Sequence, residues 1–335
     1  MPRLSDADEL LIHQVPVPFG QVQTFHEHWR ESYFFVVHAK ETGGDVLVLT
    51  MATYPARECF DSFQLGRIDG EFIFALHPRA YDGDPSTPKA GPAEIEILKP
   101  YESIRLYVDG SHPEAPIGLD LRFTARTQPH GLRRGTMRAR HEIIWDQSQM
   151  IQSGHCSGTY RVGDRTIAVD DWWCQRDHSW GIRDHSRCPL WMWLAIQLSD
   201  GMFSVWNWEY TSGARVYTDG CWSPADGSDP VPVIGFEHRL HWTDIDGKAI
   251  DYGSHGLGVV GLAGAVVITL EGGRRIEIEA EGRWCVPYRQ LGGGLHEMNV
   301  RTDDGRSGQA IYEVTGAHHH HFFPIARGEN LPPGD

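Results

Sequence analysis

The chain has 335 residues, with 30 Lys and Arg against 45 Asp and Glu. The resulting formal charge of −15 repels phosphate backbones and anionic lipid surfaces, which argues against nucleic acid as a partner. Its length predicts two domains of ordinary size, and no apolar run approaches the roughly 18 residues that cross a bilayer, so no integral membrane segment is expected.

The start, Met1 to Glu9, lacks the basic-then-apolar pattern of a signal peptide. Cys59, Cys156, Cys174, Cys188, Cys221 and Cys285 form no C-x-x-C pair and read as reduced, mostly buried thiols. A cytoplasmic protein is the expectation. A homodimer is allowed by the sequence and not required.

In chain order, Ser32 to His38 and Asp45 to Met51 are runs of β-branched and aromatic residues joined at Gly43-Gly44. Ile68-Asp69-Gly70-Glu71 is a hairpin signal. Strands are predicted over Ala93 to Leu98, Ser103 to Val108 and Gly118 to Thr127, with Tyr81 to Pro92 as an exposed Pro- and Gly-rich excursion. After residue 155 the pattern continues as Gly158 to Val162, Thr166 to Trp173, Trp191 to Leu198, Met202 to Tyr210 and Val231 to Trp242. Ala265 to Leu270, Arg274 to Glu281 and Gln309 to Val314 follow. Gly292-Gly293-Gly294 reads as a flexible turn, and only Ser5 to Gln14 and Glu142 to Ile151 offer weak helical patterns. Strands joined in this way predict an all-β chain of antiparallel barrels or sandwiches, because open sheet edges are costly. The division is placed near residue 155, giving β domains over 1–155 and 156–335, the second carrying the motif described next.

Nine of the 12 tryptophans fall between Trp172 and Trp242. Clustered indoles can line an apolar pocket, although each alone reads as core. Among them, Arg176-Asp177-His178-Ser179-Trp180-Gly181-Ile182-Arg183-Asp184 packs unusual charge beside aromatic rings, and the tetrad R-D-H-S recurs seven residues on, ending at Ser186. In an extended chain Asp177, Ser179 and Arg183 share one face, and Arg176, His178 and Trp180 the other. Gly181 marks a bulge or a close backbone approach.

R-D-H-S-W-G-x-R-D, followed by W-x-W and Ser199-Asp200-Gly201, resembles the signature of the AttH and carotenoid 1,2-hydratase (CrtC)-like proteins. Glu31-Ser32 with Phe35 is similar to their E-S-x-x-F element, and Gly305 to Gly308 with Glu313 to their closing strand. The resemblance implies two tandem lipocalin-like (calycin-like) β-barrels with a hydrophobic pocket and no organic cofactor. Relatives of this kind include carotenoid hydratases, a kievitone hydratase and fungal Diels-Alderases. The chain departs from many of them in carrying His185-Ser186 after Arg183-Asp184.

Adding water to an alkene needs a strong proton donor and stabilisation of a cation. A carboxylic acid in an apolar pocket keeps its proton, and indole faces stabilise positive charge. Asp177 or Asp184 is the expected donor, with Arg183 beside it. His178 orients or activates water, and Trp180 with Trp193 or Trp208 contacts the substrate. Glu209 and Tyr210 join the substrate-binding set, although Glu209, like His255, His296 and Glu297, reads alone as a surface or structural residue. Against direct catalysis, Arg176 and Arg183 are placed to pair with the aspartates, which lowers a carboxyl pKa and suggests a buried Arg-Asp network instead.

Of 19 histidines, His26-x-His28, His238-x-x-His241 and His318 to His321 are the obvious clusters, but neighbouring imidazoles alternate faces and no H-E-x-x-H is present, so no metal is expected. Nucleotide-binding and G-x-S-x-G motifs are also absent from the sequence, and no cofactor is expected. The leading expectation is a hydratase, dehydratase or isomerase acting on a hydrophobic small molecule of isoprenoid, aromatic or polyketide-like character. A non-catalytic carrier of such a molecule and a cyclase of Diels-Alderase type are the alternatives.

Overall fold

A computed structural model of the chain describes residues 3–11, 13, 26–80, 88–187, 190–210, 213–252, 256–288 and 291–316. The His318 to His321 run, Cys188, His255 and most of the Tyr81 to Pro92 excursion lie outside them. The described residues contain strands and two short 3-10 turns, at Asp6–Glu9 and Pro55–Arg57, and no α-helix.

The first twelve strands are β1 (Trp29–His38), β2 (Val46–Tyr54), β3 (Cys59–Ile68), β4 (Glu71–Ala80), β5 (Lys89–Ala90), β6 (Ala93–Lys99), β7 (Ser103–Val108), β8 (Gly118–Ala125), β9 (His130–Gly131), β10 (Gly135–Ala139), β11 (Glu142–Val162) and β12 (Arg165–Arg183). They pair in the order β4-β3-β2-β1-β12-β11-β8-β7-β6-β5, with β9 and β10 also on β11. The ends of that path meet where β5 packs against β3 and β4. The interior is filled by alternate residues of each strand, among them Tyr33, Phe35, Leu49, Met51, Phe60, Ile104, Leu106, Phe123 and Cys174. Each large apolar side chain removed from water there contributes roughly 1.5–3 kcal/mol. The Asp69-Gly70 hairpin has φ of 51° and 82°, both positive as the tight two-residue turn requires.

The remaining strands are β13 (Leu190–Leu198), β14 (Gly201–Glu209), β15 (Arg215–Pro224), β16 (Val231–His238), β17 (His241–Thr243), β18 (Ala249–Ile250), β19 (Gly261–Leu270), β20 (Arg275–Pro287), β21 (Gly293–Thr302) and β22 (Ser307–Thr315). Eight of them run β16-β15-β14-β13-β22-β21-β20-β19, and pairing of β16 with β19 closes the ring. Closure removes the free edges that an open sheet would expose. Leu194, Ile196, Phe203, Val205, Phe236, Ile268, Met298 and Tyr312 are part of its core.

Several expectations need correction. Glu142 to Ile151 is strand, part of β11, in which consecutive residues from Ile144 to Gln147 and from Gln149 to Gly154 are buried, so both faces are covered there and the polar residues mark no solvent side of a helix. Among the described residues of Ser5 to Gln14, the expected helix is reduced to the single 3-10 turn at Asp6–Glu9. Gly293 and Gly294 begin β21, where a side chain has no room: a Cβ on Gly293 would lie 1.9 Å from the carbonyl oxygen of Val314, and its φ is +115°. The chain is also not divided at one point. Residues 1–40, 44–134 and 147–183 form one compact unit, while 41–43, 135–146 and everything from Asp184 onward form the other. The signature strand β12 pairs with β1 from Trp29 opposite Ile182 to His38 opposite Trp173, so Arg176 to Arg183 belong to the first unit.

Gly293→Ala is expected to destabilise the protein by at least about 2 kcal/mol. Gly305→Ala, at a turn with φ +90° and nothing near the new methyl group, should cost only about 1 kcal/mol. Urea unfolding of both variants checks the contrast.

Candidate functional site

Strand β12 is buried on both faces over Cys174 to Ser179, and the pleat sorts its charged residues. Arg176, His178 and Trp180 share the face of Cys174, which lies in the first core. Asp177, Ser179 and Arg183 lie on the other face. The alternation expected from the sequence is therefore present, and it separates the two residues expected to act together, Asp177 and His178.

On the core face, Arg176 makes a two-pronged ion pair with Glu9, at 2.6 and 2.7 Å, with both side chains fully removed from solvent. The Oε1 of Gln152 accepts from Arg176 Nε at 3.0 Å and Nη2 at 2.6 Å. The backbone N–H of Tyr101 donates to Glu9 at 2.7 Å, and the Tyr33 hydroxyl donates to the Glu9 carbonyl at 2.6 Å. This carboxylate is thus saturated with donors, the condition under which a buried charge pair is tolerated. The expected Arg-Asp pairing does not occur at Arg176, since its guanidinium turns into the core toward Glu9.

The same N-terminal segment brings Asp8 and His13 to His178. His178 Nδ1 lies 2.8 Å from the Asp8 carbonyl oxygen and its Nε2 3.0 Å from Glu31 Oε1. His13 Nδ1 lies 2.5 Å from that same Glu31 oxygen, and its Nε2 3.0 Å from Asp8 Oδ1. The His13 backbone N–H donates to Glu31 Oε2 at 3.0 Å. Trp180 stacks on His13, with ring centres 3.6 Å apart and planes within 9°. Burial works against charge on Glu31, but the two imidazoles outweigh it and hold the carboxyl below its usual range. Burial likewise opposes the His13 cation, yet Glu31 and Asp8 raise its pKa. His13, Glu31 and His178 have the donor types and spacing of a metal centre, their ligand atoms all lying within 4.8 Å of one another.

On the other face, Gln149 Nε2 donates to Asp177 Oδ2 at 2.9 Å and the Ser179 hydroxyl to Oδ1 at 3.3 Å. Arg183 Nη2 donates to Ser32 Oγ at 3.1 Å and to the Ser179 carbonyl at 3.3 Å. Burial pushes the Asp177 carboxyl up to about 6, against the lowering effects of Arg183, Gln149, Arg30 and Ser179. A move from 3.8 to about 6 corresponds to roughly 3 kcal/mol between its two protonation states. Asp61 lies on this face too, in register with Ser179 through Ser32 and Ala52, and burial likewise raises it to about 6.

The other expected site residues belong to the second unit. Asp184 terminates β12: its Oδ1 accepts from Ser186 Oγ at 2.5 Å and Ser186 N at 3.2 Å, fixing the turn. Trp193 and Trp208 lie on the face of β13 and β14 turned away from the barrel core, and Trp208 stacks on Tyr217 at 4.4 Å. Glu209 faces inward and is buried, not on the surface. It accepts from Asn207 Nδ2 at 2.7 Å and lies 3.3 Å from His238 Nε2. His296 and Glu297 are buried as well. The Tyr210 hydroxyl donates to the Arg138 carbonyl at 3.3 Å.

Glu9, His13, Asp61 and Gln149 were not anticipated from the sequence. Asp61 carried a signal as the lone acid in the mixed run Cys59 to Leu65. His13 and Glu9 carried none, being far in sequence from their partners.

The sequence family described as "Family of unknown function (DUF8625)" matches residues 4–296, which covers both units. The chain belongs to this family. No curated protein matches it by sequence. Among solved structures, NE1406 of Nitrosomonas europaea, an AttH candidate, aligns over 90% of this chain and 98% of its own with a TM-score of 0.60 at 12% identity. Kievitone hydratase from Nectria haematococca aligns over 85% and 88% with 0.52 at 12%, and CghA bound to Sch210972 over 90% and 90% with 0.57 at 9%. Likenesses this remote in sequence establish the fold, two antiparallel lipocalin-like barrels. They bear out, at that level, the resemblance to AttH-like and CrtC-like proteins.

Arg176→Met leaves Glu9 as a buried charge without its cation and should destabilise the protein by about 3–5 kcal/mol. Adding Glu9→Gln should restore more than half of that loss, as read from denaturant midpoints.

Proposed function

We propose that this chain is an acid-base lyase or isomerase acting on a hydrophobic small molecule, with Asp177 as the proton donor. The observation that carries the reading is the setting of Asp177: a carboxyl withdrawn from water, oriented by Gln149 and Ser179, with the Arg183 and Arg30 charges nearby. Such a carboxyl can deliver a proton to an alkene carbon, and the arginines then stabilise the carboxylate left behind. Water adds to the neighbouring cationic carbon, and the proton it releases regenerates the acid. Dehydration is the same sequence reversed. His178 has no part in this step, because it points into the opposite face of the strand.

Fold neighbours that include a hydratase, and CghA with a bound small molecule, support small-molecule chemistry on this architecture. Isoprenoid, prenylated aromatic and polyketide-like alkenes and alcohols are the substrates to screen. In deuterated water, turnover should place one solvent deuterium on carbon in the hydrated product. Asp177→Asn, which keeps shape and removes the acid, should lower turnover by about 100-fold or more with the fold intact. Full activity in that variant would remove Asp177 from the mechanism. Saturable binding of the panel with no turnover would establish the carrier reading instead.

A further inference from the structure

The core face of β12 holds an arrangement that hydrogen bonding between neutral imidazoles does not explain. His178 Nδ1 faces a backbone carbonyl oxygen and His13 Nε2 faces a carboxylate oxygen, both on Asp8. Neither oxygen can donate, so each ring must place an N–H there. A neutral imidazole has only one N–H. The nitrogens that remain, His13 Nδ1 and His178 Nε2, then direct lone pairs at one oxygen of Glu31, from 2.5 and 3.0 Å. Three electron-pair donors converge on one spot. Either two additional protons or one divalent cation can sit among them, and the net charge is the same in both cases.

We propose that His13, Glu31 and His178 bind one divalent transition-metal ion of the zinc class. Two imidazoles and a carboxylate are a ligand set that such ions accept, with a fourth position left for water or another ligand. Asp8 supplies the support that metal-bound histidines need: its carbonyl and carboxylate take the remote nitrogens of the two rings and fix both tautomers. The backbone N–H of His13 holds the second oxygen of Glu31, leaving the first aimed at the rings. Trp180 covers His13 and approaches His178 edge-on at 5.3 Å, which keeps the surroundings apolar. Tetrahedral ligation with bonds of ~2.0–2.2 Å separates ligand atoms by about 3.3 Å, so His13 Nδ1 and His178 Nε2, at 2.5 and 3.0 Å from the Glu31 oxygen, must draw back from it by roughly 0.8 and 0.3 Å to admit the ion. The site lies on the opposite face of β12 from Asp177 and does not depend on the chemistry proposed there.

Because His318 to His321 would also bind metal, the test uses the full chain with all four replaced by Ala, after chelator treatment, titrated with Zn2+ and with Co2+ as a spectroscopic probe. The expected result is one equivalent per chain, visible Co2+ absorption of nitrogen and oxygen ligation, and a raised melting temperature. His13→Ala and the isosteric Glu31→Gln should each weaken binding by more than about 100-fold, since even loss of a ligand's supporting partner is worth 10–100-fold. Asp8→Asn should weaken it by about 10–100-fold while leaving the stoichiometry unchanged. Loss of all binding on replacing His318 to His321 would overturn the proposal, as would one equivalent retained at full affinity in Glu31→Gln. Should His13→Ala fail to fold, Glu31→Gln decides the matter alone.

Discussion

A β-strand buried on both faces cannot send its charged residues to solvent on either side. Over Cys174 to Ser179, β12 is such a strand, and Arg176, Asp177 and His178 follow one another along it. The pleat forbids neighbours from serving one another, because successive side chains leave on opposite sides. Each must find its counterpart elsewhere in the fold. The site takes its form from that requirement: Arg176 reaches Glu9, His178 reaches Glu31 and Asp8, and Asp177 reaches Gln149 and Ser179.

The N-terminal segment is explained by the same demand. Arg176 would be an isolated cation within a core that includes Phe35 and Phe123, both near its guanidinium. Glu9, in the short 3-10 turn at Asp6–Glu9, supplies the missing anion, and the Tyr101 N–H and Tyr33 hydroxyl lock that turn in place. Once Glu9 is fixed, Asp8 is carried beside His178 and His13 is brought over Trp180. One buried ion pair therefore assembles the whole core-face cluster from parts more than a hundred residues apart.

The legibility of the sequence follows from the range of the interactions. The strands were readable because alternation and turn residues act within a few positions, as in the Asp69-Gly70 hairpin and in Ser103 to Val108. The faces of β12 were readable for the same reason. Partners were not: Glu9 and Arg176 are linked only through the tertiary fold, and an Arg beside an Asp in sequence suggested a pairing that the pleat excludes. Gly293 was misread because a glycine that opens a turn and one that lets two backbones meet look alike until the partner strand is known. The division into units failed because β12 and β1 are neighbours in the sheet but more than 130 residues apart in the chain.

The separation of faces also bears on the acidity of Asp177. Had His178 shared its side, an imidazole in contact would pair with the carboxylate, and the acid would be held ionised. Across the strand, His178 is engaged with Glu31 and Asp8, so Asp177 takes hydrogen bonds from Gln149 and Ser179, with the Arg183 and Arg30 charges nearby. Burial then outweighs the nearby positive charge, and the carboxyl rises to about 6. On the core face Arg176 pairs with Glu9 while His13 and His178 engage Glu31 and Asp8; on the other, Arg30 and Arg183 lie near Asp61 and Asp177. An R-D-H-S run within a strand is thus better understood as two interleaved sets of polar groups, each partnered on its own side of the sheet, than as one catalytic string.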